Sequence, residues 1–275
     1  MLLASAAAAN ASSTLVDNYD GGYDFYAGNG TYTATALSGP GSTYNGAQLY
    51  AGDVISDAND PRFSITDAVI SRINGGNTLV VTIDTGYAQN AGADGTGYGA
   101  LFITPGANAW NPTGTAANHY ATDVYQPGEW QYAFTIPMTP GTNSGTGGLY
   151  ATSGGNVVLS NVANDPTSYP LAGNNGYYFR QGEAVQFTPG TGEAAAATGT
   201  WAATPGQLTF SIDDNGALGN QFALSWAMTC ANDVIQGEVS LVPEPKSWAL
   251  MLLGFGLIGF ALRRNRGVQG QAVPA

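Results

Sequence analysis

Apolar and polar positions alternate in short runs along most of the chain, and Gly, Pro, Asn and Asp separate the runs. Thr31–Leu37 alternates β-formers with small residues. Thr78–Asp84 is a strong strand pattern placed directly after the turn signal Asn74-Gly75-Gly76-Asn77. Tyr98–Ile103 runs up to Pro105-Gly106, and Trp130–Ile136 stops at Pro137. Shorter β-rich runs follow at Val157–Leu159, Tyr177–Arg180 and Ala184–Phe187. Longer ones lie at Gln207–Asp213, Phe222–Met228 and Val234–Ser240. No helical period is sustained outside one apolar segment late in the chain, and the turn signals divide the rest into about ten to thirteen strands. The pattern predicts an all-β fold, an antiparallel two-sheet sandwich of jelly-roll or lectin-like type, with a single C-terminal hydrophobic helix. A barrel is the lesser alternative, and a β-helix lacks the short repeats it needs. Segments 104–129 and 137–176 read as long loops, where specificity would sit. No shift of composition divides 12–241, which is expected to form one extracellular domain.

The late apolar segment has its own grammar. Trp248–Leu262 is purely apolar and is preceded by Pro243-Glu244-Pro245. Lys246 and Ser247 intervene, and Arg263, Arg264 and Arg266 follow. Proline fixes φ and donates no amide hydrogen, so Pro243 and Pro245 end the preceding strand. A 15-residue helix spans about 22 Å, short of the roughly 20 residues usual for a bilayer. Snorkelling arginines and an interfacial Trp248 make a short transmembrane helix over 248–262 tolerable. Gly254, Gly256 and Gly259 give it small faces suited to helix contact. Arginines after the span place the C-terminus in the cytoplasm and the body outside the inner membrane.

The segment 242–266 resembles the PEP-CTERM sorting signal of Gram-negative bacteria. The resemblance rests on Pro243-Glu244-Pro245, Trp248-Ala249, the glycine-containing apolar helix and the cluster Arg263, Arg264 and Arg266. An ordinary membrane anchor shares the apolar-then-basic order but needs no Pro-Glu-Pro-x-x-Trp. The resemblance implies recognition by an exosortase, a membrane protease that handles such tails near the Pro-Glu-Pro, and final placement at the cell surface or extracellular matrix. It also implies an association with exopolysaccharide and biofilm. The stretch Gly267–Ala275 departs from it, since such signals stop soon after the arginines, and reads as a disordered tail. Patches of the body are similar to other extracellular domains that carry this signal: Cys230-x-Asn232-Asp233-Val234-Ile235-x-Gly237, Gly52–Asp57, Tyr98–Ile103 and Trp130–Ala133. Residues 1–11 read as the end of a secretory signal peptide, with Ala9-Asn10-Ala11 as a small-x-small cleavage site.

Composition narrows the partners. Only 9% of residues are charged. Before Pro243 the chain carries Arg62, Arg72 and Arg180 against 18 acidic side chains, a net charge near −15. Such a body repels nucleic acid and anionic membrane surfaces, and leaves divalent cations and neutral glycans as candidate partners. Cys230 is the only cysteine, so there is no intrachain disulfide and no cysteine-rich zinc site.

Candidate chemistry is sparse. Cys230 and the lone His119 are 111 positions apart in sequence, and each reads as an ordinary structural or solvated residue rather than as nucleophile and base. Glu129-Trp130, with Trp110 and Tyr125, forms the acid-plus-aromatic neighbourhood a sugar site uses, and these four are the candidate ligand residues. The same aromatics read equally well as core and sheet-face residues. A glycosidase needs a second, facing carboxylate, and nothing in the pattern supplies one. The body is therefore read as non-catalytic. Asp53, Asp57 and Asp60 are candidate ligands of a structural calcium, since calcium takes six to eight oxygens from flexible acidic loops. Asp and Asn also build turns without any metal. The expected protein is an exported surface or matrix protein, with a lectin-like module as the alternative and a glycan hydrolase behind it.

Overall fold

The computed structural model describes residues 11–16, 24–27, 30–32, 42–44, 47–49, 65–91, 96–113, 123–137, 141–160, 176–179, 182–231, 233–241, 253–258 and 263. Ten strands form one continuous antiparallel sheet. In chain order they are β1 (Ser12–Val16), β6 (Ile65–Ile73), β7 (Thr78–Thr85), β8 (Leu101–Pro105), β9 (Tyr132–Thr135), β10 (Ser144–Ala151), β14 (Ala197–Thr204), β15 (Gln207–Ile212), β16 (Gln221–Ala227) and β17 (Val234–Ser240). Around the sheet the order is β1-β6-β7-β15-β14-β10-β9-β8-β16-β17. Smaller sheets pair β11 (Gly155–Leu159) with β13 (Ala184–Pro189), β12 (Gly176–Phe179) with β2 (Asp24–Ala27) and β3 (Gly30–Tyr32), and β4 (Ser42–Tyr44) with β5 (Ala47–Leu49).

The large sheet rolls up until its two edge strands meet. Leu15 of β1 lies against Gly237 of β17, where a Cβ on the glycine would stand 2.7 Å from the leucine Cδ1. All-β and antiparallel hold as expected, but in place of an expected pair of facing sheets there is one nearly closed sheet with three small ones. The reason is visible in the pairing. Every neighbour from β6 to β17 is hydrogen-bonded to the next without a break, so both walls of the core belong to the same ladder.

The interior is packed by the inward positions of the strands that enclose it. Ala68 and Ile70, Leu79, Val81 and Ile83, Leu208, Phe210 and Ile212, and Phe222, Leu224 and Trp226 join one buried cluster. Rings fill its centre: Tyr98 meets Trp201 edge-on at 5.4 Å, and Phe134 meets Phe210 at 6.0 Å. Strands β6, β7, β14 and β15 bury alternate residues and turn the others outward, as a sheet with one dry face does. Strands β8, β16 and β17 are buried on both faces, because β13 and the chain around Trp110 and Tyr125 cover that wall from outside.

One end of the roll is tied by an ion pair. Arg72, inward-facing on β6, donates to both oxygens of Asp214 at 2.8 and 2.9 Å and also to the carbonyls of Gly76 and Gly219. A single buried guanidinium thereby joins the β6–β7 turn to the β15–β16 connection.

The run Val157–Leu159 falls in β11 as expected, but the segment 137–176, otherwise read as a loop, also contains β10. Strand β10 reads Ser-Gly-Thr-Gly-Gly-Leu-Tyr-Ala, too glycine-rich for propensity to reveal. Its inward glycines serve packing. A Cβ on Gly147 would stand 2.6 Å from the Phe134 ring, and one on Gly145 would stand 3.1 Å from the Trp201 indole nitrogen.

Candidate functional site

The acid-plus-aromatic neighbourhood forms on the covered wall, between β8 and β9. A tight turn closes over Gln126-Pro127-Gly128-Glu129. The Glu129 N–H donates to the Gln126 carbonyl at 2.9 Å, the Gln126 N–H donates to Glu129 Oε2 at 3.0 Å, and Gly128 supplies the positive φ of 86°. Thr104 on β8 locks the turn from below: its hydroxyl donates to the Glu129 carbonyl at 2.6 Å and accepts from the Gln131 N–H. Thr152 donates its hydroxyl to the Trp130 carbonyl.

These bonds fix the four candidate residues differently. Trp130 is 2% exposed and belongs to the outer cluster with Phe102, Ala133 and Phe187, 6.5 Å from the Phe102 ring. Trp110 and Tyr125 are half-buried against the same cluster, and Trp110 also reaches Val185, Ala227 and Val234. Burial pushes the Glu129 carboxyl up to about 7, against the Gln126 N–H bond and with the help of the Asp123 charge. A depression of about 270 Å³ is lined by Gly128, Trp130, Gln131, Tyr132, Ala151, Thr152 and Ser153 but not by Glu129.

Asp123 is the residue of this neighbourhood that the sequence reading missed. It is buried, and its oxygens accept from Thr113 N–H at 2.6 Å, the Thr113 hydroxyl at 2.9 Å and Gln236 Nε2 at 3.1 Å. It acts as a tie between the covering loop and β17. Glu238 does the same work from the exposed side of β17, accepting Asn108 and Trp110 N–H at 2.8 and 3.1 Å. No local motif announces either residue, since their partners lie 10 to 130 positions away.

Elsewhere, Asp67 and Asp84 are register partners on the outer face of β6 and β7. Each keeps one oxygen out of solvent with no hydrogen-bond partner among the described residues. Burial first, and then the Asp84 charge, raise the Asp67 carboxyl above its ordinary range. Cys230 is buried. His119 and the candidate calcium ligands Asp53, Asp57 and Asp60 lie outside the described residues. Among the described residues no three His, Cys, Asp or Glu side chains come together as a metal group.

The second site is the end of β17. Leu241 is 1% exposed and its N–H donates to the Asn220 carbonyl at 2.7 Å, so the chain is held in the core up to this residue. A shallow depression of about 590 Å³ surrounds it, lined mainly by Pro105, Gly106, Ala217, Gly219 and Gln221. A family model described as the PEP-CTERM protein-sorting motif matches residues 241–266, starting on this clamped leucine. The protein carries a PEP-CTERM sorting motif.

No curated protein and no solved structure matches the chain. The PEP-CTERM motif marks it as an exosortase-sorted protein, exported to the cell envelope or surface. Of the signal residues, Arg263 is helical, while Pro243, Glu244, Pro245, Trp248, Arg264 and Arg266 lie outside the described residues. Residues 253–258 are helical, with Leu253, Phe255, Leu257 and Ile258 all exposed, an apolar surface of the kind that finds its place against lipid or protein. Among the described residues no helix is long and apolar enough to cross a membrane, so the span expected over 248–262 is not seen there.

Proposed function

We propose that this protein is a non-catalytic structural protein of the cell surface or extracellular matrix, delivered by an exosortase and associated with exopolysaccharide. The observation that carries the reading is the junction at Leu241, where a packed all-β body ends and the sorting motif begins with no linker between them. Such a chain is built to put a folded body outside and to present the Pro-Glu-Pro beside it. The segment 248–262 halts the chain in the inner membrane before processing, with its arginines on the cytoplasmic side. The patch resemblance of the body to other extracellular domains with this signal agrees with that destination. The neighbourhood of Glu129 supports a non-catalytic reading. Asp123, the carboxylate whose charge acts on it, has both oxygens committed to Thr113 and Gln236 and so is not poised as a second acid.

The second reading, a lectin-like module, draws on Trp110, Tyr125 and Glu129, which are partly accessible around the Glu129 turn, with calcium held by Asp53, Asp57 and Asp60. The test is incubation of the full-length protein with exopolysaccharide from an exosortase-bearing host and with a glycan array, in calcium and in chelator. Co-sedimentation with the exopolysaccharide and no release of sugar is the expected result. Saturable, calcium-dependent binding to one glycan, lost in Trp110→Ala, would replace the structural reading with the lectin one. Release of reducing sugar would overturn both.

A further inference from the structure

The nearly closed sheet has one weak place, and it lies at β1. Strand β1 pairs with β6 through five register partners, Ser12 with Ser71 through Val16 with Asp67. On its other side no strand pairing joins it to β17, although the two are in contact; the seam is closed by Leu15 resting on the bare backbone of Gly237. Every other strand of the ten-stranded sheet contains at least one fully buried residue, and β1 contains none. Its inward positions are Ser13 and Leu15, its outward ones Ser12, Thr14 and Val16, and Val16 is exposed. An edge strand held by one ladder and one leucine is the least costly element of this sheet to remove, and its departure uncovers a ready template on β6.

We propose that β1 is an exchangeable strand: Ser12–Val16 of one copy takes the β6 edge of a second copy, in the register it occupies within its own chain. The second copy is the fitting partner because the identical five residues restore every contact the departing strand gave up, Leu15 over Gly237 included. Such an exchange replaces intrachain bonds by the same bonds between chains, which is why strand swapping costs little once it begins. Seven residues, 17–23, join β1 to β2, which pairs with β12, so at most about 24 Å of chain links an exchanged β1 to its own body. The balance is then set by concentration. A strand joined to its partner in one chain competes at an effective concentration on the order of mM, so exchange grows as the protein itself approaches that density, as on a crowded surface.

The experiment uses the full-length chain in detergent, carrying Thr14→Cys and Val69→Cys. These two are facing partners on the outer side, both exposed, at the separation a cross-strand disulfide bridges. Cys230 is buried and stays out of the reaction. Isotopically labelled and unlabelled chains are mixed, warmed gently at rising concentration, oxidised, digested and weighed. The expected result is a 14–69 linked peptide pair of mixed isotope that is negligible in dilute solution and rises with concentration toward half of all linked pairs. Linked pairs of unmixed isotope at every concentration would overturn the proposal. A second measurement decides if the double variant fails to fold or to oxidise. The unaltered chain is titrated with a fluorescent peptide of residues 10–18, and saturable uptake that is lost with the Leu15→Asp peptide is expected. Absence of uptake at peptide concentrations on the order of mM would also overturn it.

Discussion

Arg72 shows how much of this molecule depends on single side chains. The body has three arginines, and this one is buried with its guanidinium divided among Asp214, Gly76 and Gly219. Burial by itself raises the Asp214 carboxyl, but the Arg72 hydrogen bonds, with those from Leu218 and Gly216, bring it below the ordinary range. Arg72→Ala leaves a buried carboxylate without its cation and is expected to cost about 3–5 kcal/mol, read as a drop in the urea midpoint. A carboxyl lowered in the folded state contributes stability above its unfolded value and loses it as pH falls. The unaltered chain should therefore lose stability below about pH 4, where the Arg72→Ala chain loses less. Glu129 has the opposite sign. Its carboxyl is raised from 4.5 to about 7, so the folded state holds the proton more tightly and stability declines as pH rises between those values. Glu129→Gln removes that titration. Its unfolding free energy should exceed that of the unaltered chain by more at pH 8.5 than at pH 5.5, by on the order of 1 kcal/mol for a carboxyl partly screened by solvent, read from urea midpoints at the two pH values. Equal differences at both pH values would show that Glu129 titrates as an exposed acid.

At the scale of the element, strands whose side chains announce themselves were legible and strands that serve as clearance were not. Strands β7, β8, β15, β16 and β17 were visible because their Val, Ile, Leu and Phe carry the alternation. Strand β10 was hidden because its inward positions begin with Gly145 and Gly147, which are there to admit the rings of Trp201 and Phe134. Strand β14 was hidden by its small residues, Ala, Thr and Gly around Trp201, and β6 by Asp67 and Arg72 within its run. The candidate site divides in the same way. Glu129 and its aromatics are adjacent enough in sequence to be noticed, while Asp123 and Glu238 reach partners on other elements. The clearance argument makes a prediction. Gly147 and Gly199 are register partners, and both sit under the Phe134 ring. Gly147→Ala meets the Thr135 carbonyl oxygen at 2.5 Å as well as the ring at 2.6 Å and is expected to cost about 1–3 kcal/mol, although alanine is ordinarily the easier residue to order. Adding Phe134→Leu should recover part of the loss in the double variant, measured by a double-mutant cycle. A Gly147→Ala chain as stable as the unaltered one would mean that both the ring and the Thr135 backbone have room to move.

For the whole molecule, the decisive relation is between a closed acidic body and the basic tail that follows it. The body carries three arginines against 18 acids, and the remaining basic residues, Lys246, Arg263, Arg264 and Arg266, come after it. Acidic surfaces are repelled from anionic lipid and basic clusters are drawn to it, so the proposed membrane stage would hold the body away from the lipid that holds the tail. The body's last clamped residue is Leu241, and Pro243 follows two residues later, so the two Cα atoms are within about 7 Å of each other. A protease working at the Pro-Glu-Pro must therefore come up against the end of the sheet, at Pro105, Gly106 and Gly219. Replacing Pro243, Glu244 and Pro245 together by alanine is expected to leave the full-length chain in the membrane fraction of exosortase-bearing cells, with the body still folded because Leu241 keeps its place. The closeness of the body adds a sharper expectation. A Gly-Ser spacer of about ten residues placed between Leu241 and Val242 moves the signal clear of the body by roughly 15–20 Å as a flexible chain. If the folded end obstructs the protease, a pulse-chase experiment will show the spacer chain processed faster than the unaltered one and the alanine chain not at all. Equal rates for spacer and unaltered chains would place recognition wholly within the tail, and slower processing of the spacer chain would make the end of the sheet part of what the exosortase reads.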